Sequence, residues 1–383
     1  MTITPRLVAE YRIPGVRDLL SGGGWFDPSG PVPRLVLQGP DSLRVYELGE
    51  DAELRATFPR PSSNWREMND WLAPDLSFVV FQGETSYTAV DRDGNRMWHH
   101  PLGGWYATPW GHVGFAMAGP YRETQTLLRL PSGAADKSLF VALDTAGNEL
   151  ARSILPCGGN DRCVELVWGS EGYLTGVYAR GGTADGAPAK PAEYQASLVC
   201  GHIVLGERVR EKRATMPAGY ASALRGREPV EWSPSGTGMM TIDGRGRDVR
   251  WHRYPSCEVA AELRLSDFPP PGTGDSSVHD HHRWIYPYGG GYVDADTAMV
   301  TLHNSYNEAR VFMFGEDVWE EHSHWLADPA TGGLHGRIAY PMRDVDHVWL
   351  LGDGTWVTAE WDTLYRWSAG PGLSDLPATM SDT

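Results

Sequence analysis

PVEWSPSGTGMMTIDGRGRDVRWHRYPSCEVAAELRL, residues 229–265, reads as four short β-strands joined by tight turns. Glu231-Trp232 runs into Ser233-Pro234-Ser235-Gly236, Met239 to Ile242 forms a second run, and Gly244-Arg245-Gly246 turns the chain back. Asp248 to Arg253 alternates in polarity, Pro255-Ser256 turns again, and Cys257 to Leu265 alternates once more. Glycine supplies positive φ, proline presets φ, and serine bonds its own backbone, so these residues mark turns for physical reasons. Alternation with period two puts one set of side chains on each face of a strand. The stretch is a four-stranded antiparallel meander.

Its Trp232-Ser233-Pro234-Ser235-Gly236 opening and its Asp248-Val249-Arg250-Trp251-His252 third strand resemble the WD40 repeat, in which each meander is one blade of a β-propeller. His252 stands near the place where that family usually has Asp, so the family's structural hydrogen-bond tetrad departs from its usual form here. A second likeness lies at Ala89-Val90-Asp91-Arg92-Asp93-Gly94-Asn95-Arg96-Met97-Trp98, which resembles the A-x-D-x-x-G-x-x-x-W hairpin of quinoprotein-type repeats. Ala142 to Ala151 repeats it with Ala151 in place of the Trp. Turn propensity alone accounts for Asp and Gly in such hairpins, and no quinone or other cofactor follows.

The chain in order reads as further copies. Trp25 to Phe58 makes a first blade, Asp70 to Trp98 a second, Ala107 to Ala151 a third, and Cys163 to about Thr215 a fourth. After the opening stretch, Arg283 to Trp325 forms a sixth, with strands at Tyr286 to Val293, Ala298 to His303, Arg310 to Phe314 and Val318 to Trp325. The seventh takes Ile338 to Pro341, Val348 to Leu351, Trp356 to Ala359 and Thr363 to Ser368, and it is one strand short. Residues 6–13 are left over at the other end. The expectation is an all-β, seven-bladed propeller occupying 1–383 as one domain, closed by pairing 6–13 onto the last blade, with 369–383 a flexible tail. Six or eight blades also fit, since the first and last are the least regular.

Composition narrows the function classes. The 45 Gly, 28 Pro and 16 Trp suit many turns between short strands that carry large side chains. A net charge of -16 with no basic run opposes binding to nucleic acid, whose phosphates call for clustered Lys and Arg. No 18-residue apolar run occurs and residues 1–6 carry no leader pattern, so the expectation is a soluble cytoplasmic protein without membrane contact. Three lysines against 30 arginines, with abundant Ala, Gly and Pro, suggest a bacterial, high-GC origin. Cys157 and Cys163 could bridge a loop under oxidising conditions, while Cys200 and Cys257 read as idle thiols.

Function should lie in the loops leading into each blade. These are aromatic and polar: Trp65, Asp70 and Trp71 in one, Trp105 and Tyr106 in the next, then Tyr220, Trp284 and Tyr340. Trp, Tyr and Arg concentrate binding energy at interfaces, so the favoured reading is a protein- or peptide-binding module with an acidic, aromatic mouth at Trp65, Trp71, Trp105, Tyr106, Tyr220, Trp284 and Tyr340. A small-molecule ligand at the channel mouth also suits these rings. Packing between blades is the competing role for each Trp. The alternative is a lyase or hydrolase using His279, His281, His282, Asp344 and His347, with or without a metal. His279 and His281 alternate on a strand, which puts both on one side, and Asp280 or Asp346 could join them. No H-E-x-x-H or C-x-x-C spacing accompanies them, so no metal is assigned. His322-Ser323-His324 has the same alternation but falls on the strand read as the outer edge of the sixth blade, which predicts a surface position.

Overall fold

The structure, a computed structural model, describes residues 1–16, 20, 24–27, 31–61, 70–83, 85–101, 113–116, 125–131, 138–155, 161–168, 174–180, 195–199, 227–235, 237–243, 245–253, 258–269, 281–306, 320–342, 345 and 347–370. It is an all-β protein built of successive small sheets. Two short strands, β1 (Thr2–Ile3) and β2 (Arg6–Arg12), come first. The chain then divides into two compact units, Tyr11–Arg225 and Met1–Glu10 with Gly226–Thr383.

Among the described residues, the unit Tyr11–Arg225 holds four sheets. The first runs β3 (Trp25–Asp27), β4 (Arg34–Gln38), β5 (Ser42–Leu48), β6 (Ala52–Pro59), and the second β7 (Asp70–Leu72), β8 (Phe78–Gln82), β9 (Ser86–Asp91), β10 (Arg96–Pro101). The third runs β11 (Val113–Ala116), β12 (Gln125–Pro131), β13 (Ser138–Leu143), β14 (Glu149–Leu155). The fourth shows three strands among the described residues, β15 (Asp161–Trp168), β16 (Leu174–Arg180) and β17 (Gln195–Val199). All are antiparallel neighbours in chain order.

The apolar run Phe78-Val79-Val80-Phe81 shows why these sheets stack. Val79 and Phe81 point to one face and pack with Val36, Val45 and Phe58 of the first sheet. Phe78 and Val80 point to the other and pack with Leu128 and Val141 of the third. A strand that is apolar at every position must be covered on both sides, and each such buried side chain contributes about 1.5–3 kcal/mol. The second sheet is therefore the middle layer of three.

The unit holding Gly226–Thr383 repeats this scheme. Its fifth sheet is β18 (Arg227–Trp232), β19 (Gly238–Asp243), β20 (Asp248–Arg253), β21 (Val259–Arg264), which is the opening stretch of the sequence. The sixth is β22 (His281–Tyr292), β23 (Ala298–Tyr306), β24 (Glu320–Ala327), β25 (Leu334–Ile338), and the seventh β26 (Val348–Leu350), β27 (Thr355–Glu360), β28 (Thr363–Ser368). One face of the sixth sheet, with Ile285, Val300 and Trp325, packs on Met240 and Trp251 of the fifth. The other, with Met299 and Leu326, packs on Val348, Trp356 and Trp367 of the seventh. The seventh sheet takes β2 as its fourth strand, next to β28.

Residues 1–5 do more than expected. β1 joins the outer edge of the sixth sheet in parallel, with Thr2 opposite Arg337 and Ile3 opposite Ile338. The Arg337 amide donates to the Met1 carbonyl at 3.0 Å and the Ala339 amide to the Ile3 carbonyl at 2.8 Å. Ile3 is buried in the core shared by the sixth and seventh sheets.

The strand reading of the last two sheets needs correction. Ile338, read as the start of a seventh-sheet strand Ile338 to Pro341, instead ends β25 (Leu334–Ile338) of the sixth sheet, whose third strand is Glu320–Ala327. The run Arg310 to Phe314, read as the third strand, lies outside the described residues. His322 and His324 therefore sit on an interior strand, and His324 is buried where a surface position was expected.

In the fifth sheet the buried His252 belongs to a polar network. The Arg227 guanidinium donates to the Thr241 hydroxyl at 2.8 Å and forms an ion pair with Asp248. Thr241 Oγ1 lies 2.9 Å from His252 Nε2. The same hydroxyl donates to the Arg250 carbonyl at 3.5 Å, so Thr241 joins the guanidinium, the imidazole and the backbone. Burial lowers the Arg227 pKa and Asp248 opposes that fall.

Candidate functional site

The sixth sheet changes character along its length on the face that meets the seventh. At one end Met299 and Leu326 belong to the apolar core. Toward the start of β22, register lines up two polar rows across three strands. Trp284 stands opposite His303, and His303 opposite His322. Tyr286 stands opposite Thr301, and Thr301 opposite His324. Period-two alternation puts all six side chains on one face.

The rings are in contact. Trp284 and His303 have centroids 4.3 Å apart, His303 and His322 4.7 Å, and Tyr286 lies 5.5 Å from His303 and 5.3 Å from His322. Tyr340 closes the cluster from the segment after β25, its ring edge-on to His324 at 5.7 Å and to Trp367 at 6.0 Å. Offset and edge-on contacts of this kind contribute about 0.5–1.5 kcal/mol beyond area burial.

Electrostatically the buried His324 is held neutral. His324 is 2% exposed, and its pKa falls to about 3, first through burial and then through His322, Arg337 and His347. Burial pushes the Tyr340 hydroxyl pKa up, with the Trp356 indole opposing in part. Such a patch offers flat rings beside a neutral His324 and Tyr340. Among the described residues no group of three or more His, Cys, Asp or Glu is arranged to hold a metal ion.

The residues singled out from sequence distribute unevenly. Trp65, Trp105, Tyr106, Tyr220, His279, Asp280, Asp344 and Asp346 lie outside the described residues. His281 and His282 begin β22, paired in register with Tyr306 and Ser305. Trp284 and Tyr340 are brought together by the histidine cluster. His347 is exposed, its ring 6.0 Å from that of Trp349. Trp71 is half-buried, edge-on to Tyr87 at 6.1 Å and packed on the core between the second and third sheets. Asp70 is also interior: Arg60 donates to it at 2.6 Å, and burial pushes its pKa up to about 7 against the pull of that guanidinium. Tyr286, His303, His322 and His324 were not singled out as a site. The H-x-H alternation was visible, but its placement depended on which strand pairs with which.

Neither a known protein family nor a curated protein matches the chain. Among solved structures, it is similar to BBS1N in complex with ARL6DN, at 8% identity over 97% of this chain and 92% of that one, TM-score 0.42. It is similar to the WD40 beta propeller domain of Doa1 at 8% identity, covering 97% and 95%, TM-score 0.41. The WD40 domain of SCAP from fission yeast follows at 9% identity, covering 88% and 89%, TM-score 0.38. Likenesses this slight carry no argument, and the fold rests on the strand pairing described above.

Proposed function

We propose that the seven sheets are the blades of one propeller, with β2 completing the last blade, and that the ring is a binding module for a protein or peptide. The observation that carries this reading is the partly exposed pair Trp284 and Tyr340, held by the histidine cluster at the end of the sixth sheet where β22 begins. Rigid aromatic side chains on a packed frame bind at low entropic cost. The mouth would be completed by Trp65, Trp105, Tyr106 and Tyr220 from the loops leading into other blades. A lyase or hydrolase built on His279, His281, His282, Asp344 and His347 is the alternative reading, and it calls for several of those groups converging on one pocket.

The test is capture of a partner on immobilised full-length protein, followed by affinity measurement with single alanine variants. Trp284→Ala and Trp105→Ala are each expected to weaken binding by about tenfold or more while the melting temperature holds. Unchanged affinity in both variants overturns the reading.

A further inference from the structure

The sixth sheet carries one strand more than the rest. Among the described residues every other sheet has three or four strands, whereas here β1 is a fifth, two residues long and parallel to β25. The four-strand meander is complete without it. The bonds from the Arg337 and Ala339 amides and the buried side chains of Ile3 and Pro5 hold the segment in place. Parallel pairing is the weaker kind per residue, so a strand this short is lightly held.

The edge that receives it is shaped for a strand. β25 bulges between its pairs with Leu326 and Ala327, with His335 as the extra residue, and a bulge re-aims the chain that carries it. The next residue, Gly336, has a φ of 154°, a value that glycine adopts freely and other residues do not. A Cβ there would fall 2.7 Å from the Met1 carbonyl oxygen and 3.2 Å from Ile3 Cγ1. The missing side chain is the room that the added strand uses. Beside it, Ile3 packs with Val293, Ile338, Val348, Trp356 and Trp367. Thr2 and Thr4 are exposed while Ile3 and Pro5 are buried, so the groove takes alternate side chains.

We infer that the β25 edge is a strand-addition groove for an extended peptide segment of another protein, with Ile or Val at one position and Pro two residues on, and that residues 1–5 occupy it as an internal stand-in. In such recognition main-chain bonds to a sheet edge give affinity, and pockets for alternate side chains give specificity. The stand-in defines the pattern that fits. A second copy of this chain is a poor occupant, because only Thr4 and Pro5 separate β1 from β2, which lies in the seventh sheet. Two residues span at most about 7 Å, so β1 cannot reach another molecule while β2 stays paired with β28. A free segment has no such tether. The groove stands apart from the mouth at Trp284, and the inference does not rest on the binding-module reading.

A synthetic peptide of residues 1–5 with a fluorophore at its C-terminus, titrated into full-length protein and followed by anisotropy, tests it. The tethered stand-in competes at an effective concentration of about millimolar, so weakening its own fit should open the groove. Ile3→Asp and Ile3→Gly are each expected to bind the peptide about tenfold tighter than the wild type does, and Ile3→Gly serves if the buried charge of Ile3→Asp prevents folding. A peptide with Asp in place of Ile should not bind. Hydrogen exchange should show the Arg337 and Ala339 amides open in Ile3→Gly alone and protected once the peptide is added. No saturable binding, equal affinity for variants and wild type, equal binding of the Asp peptide, or binding without protection at 337–339 overturns the inference. So does a wild-type dimer that Ile3→Gly converts to monomer, since its occupant is then a second copy.

Discussion

At the residue scale, His324 links the candidate site to stability. Its folded pKa of about 3 lies below its ordinary value of 6.5, so between those two values the unfolded chain takes up a proton that the native one refuses. Stability contributed by the neutral ring is complete above pH 6.5 and declines as pH falls, by about 1.4 kcal/mol per unit until the folded pKa is reached. Arg337, His322 and His347 all disfavour the charged form, and none offers it a counter-ion. Urea unfolding at pH 7.5 and 5.0 checks this: the wild type should lose about 2 kcal/mol more between the two than His324→Leu does. Equal losses would mean that the proton reaches His324 in the native state. The ring's chemistry was readable from its H-x-H spacing, but its burial was not. An apolar run at Arg310 to Phe314 filled the third-strand position in the sequence reading and moved Val318 to Trp325 outward by one strand.

At the scale of elements, the short hairpins act as spacers between sheets. Asp91 accepts from the Asn95 amide at 2.8 Å and from its side chain at 3.0 Å, and Asp144 repeats this with Asn148 at 2.8 and 2.9 Å. These D-x-x-G-N turns were legible because turn chemistry is local. What they touch was not. Gly147, at φ 84°, comes so close to Trp98 of the preceding sheet that a Cβ would fall 2.4 Å from the Trp Cβ. In the sixth sheet a Cβ on Gly332, at φ 74°, would fall 2.5 Å from the Glu262 carbonyl oxygen of the fifth. Gly15 has a similar φ of 69° and open space around it. Gly15→Ala should therefore cost only the backbone strain, about 1 kcal/mol, whereas Gly332→Ala adds a clash with immovable backbone and should cost about 2–3 kcal/mol or more. Chemical denaturation of the two variants measures the difference, and equal costs would refute the close approach.

At the scale of the whole molecule, strand existence and the order of the sheets could be read from one 37-residue stretch used as a ruler, because a four-strand meander is specified by alternation and turns alone. Pairings between distant residues leave no such local mark, which is why β1 went unread while β2 was sought as the fourth strand of the last sheet. Removing residues 1–12 takes β1 with its buried Ile3 side chain and the fourth strand of the seventh sheet. With a core side chain at about 1.5–3 kcal/mol and an unpaired edge exposed, the melting temperature should drop by about 5 °C or more. A truncated chain that melts like the full one would argue against the proposed ring. The parallel contact of Thr2 with Arg337 also sets a timetable. At roughly 5–20 residues per second, the ribosome delivers the partner of this first strand roughly 20–70 s after the strand itself. For that interval β1 and the apolar side chain of Ile3 have no place to dock, and β2 waits longer still for β28.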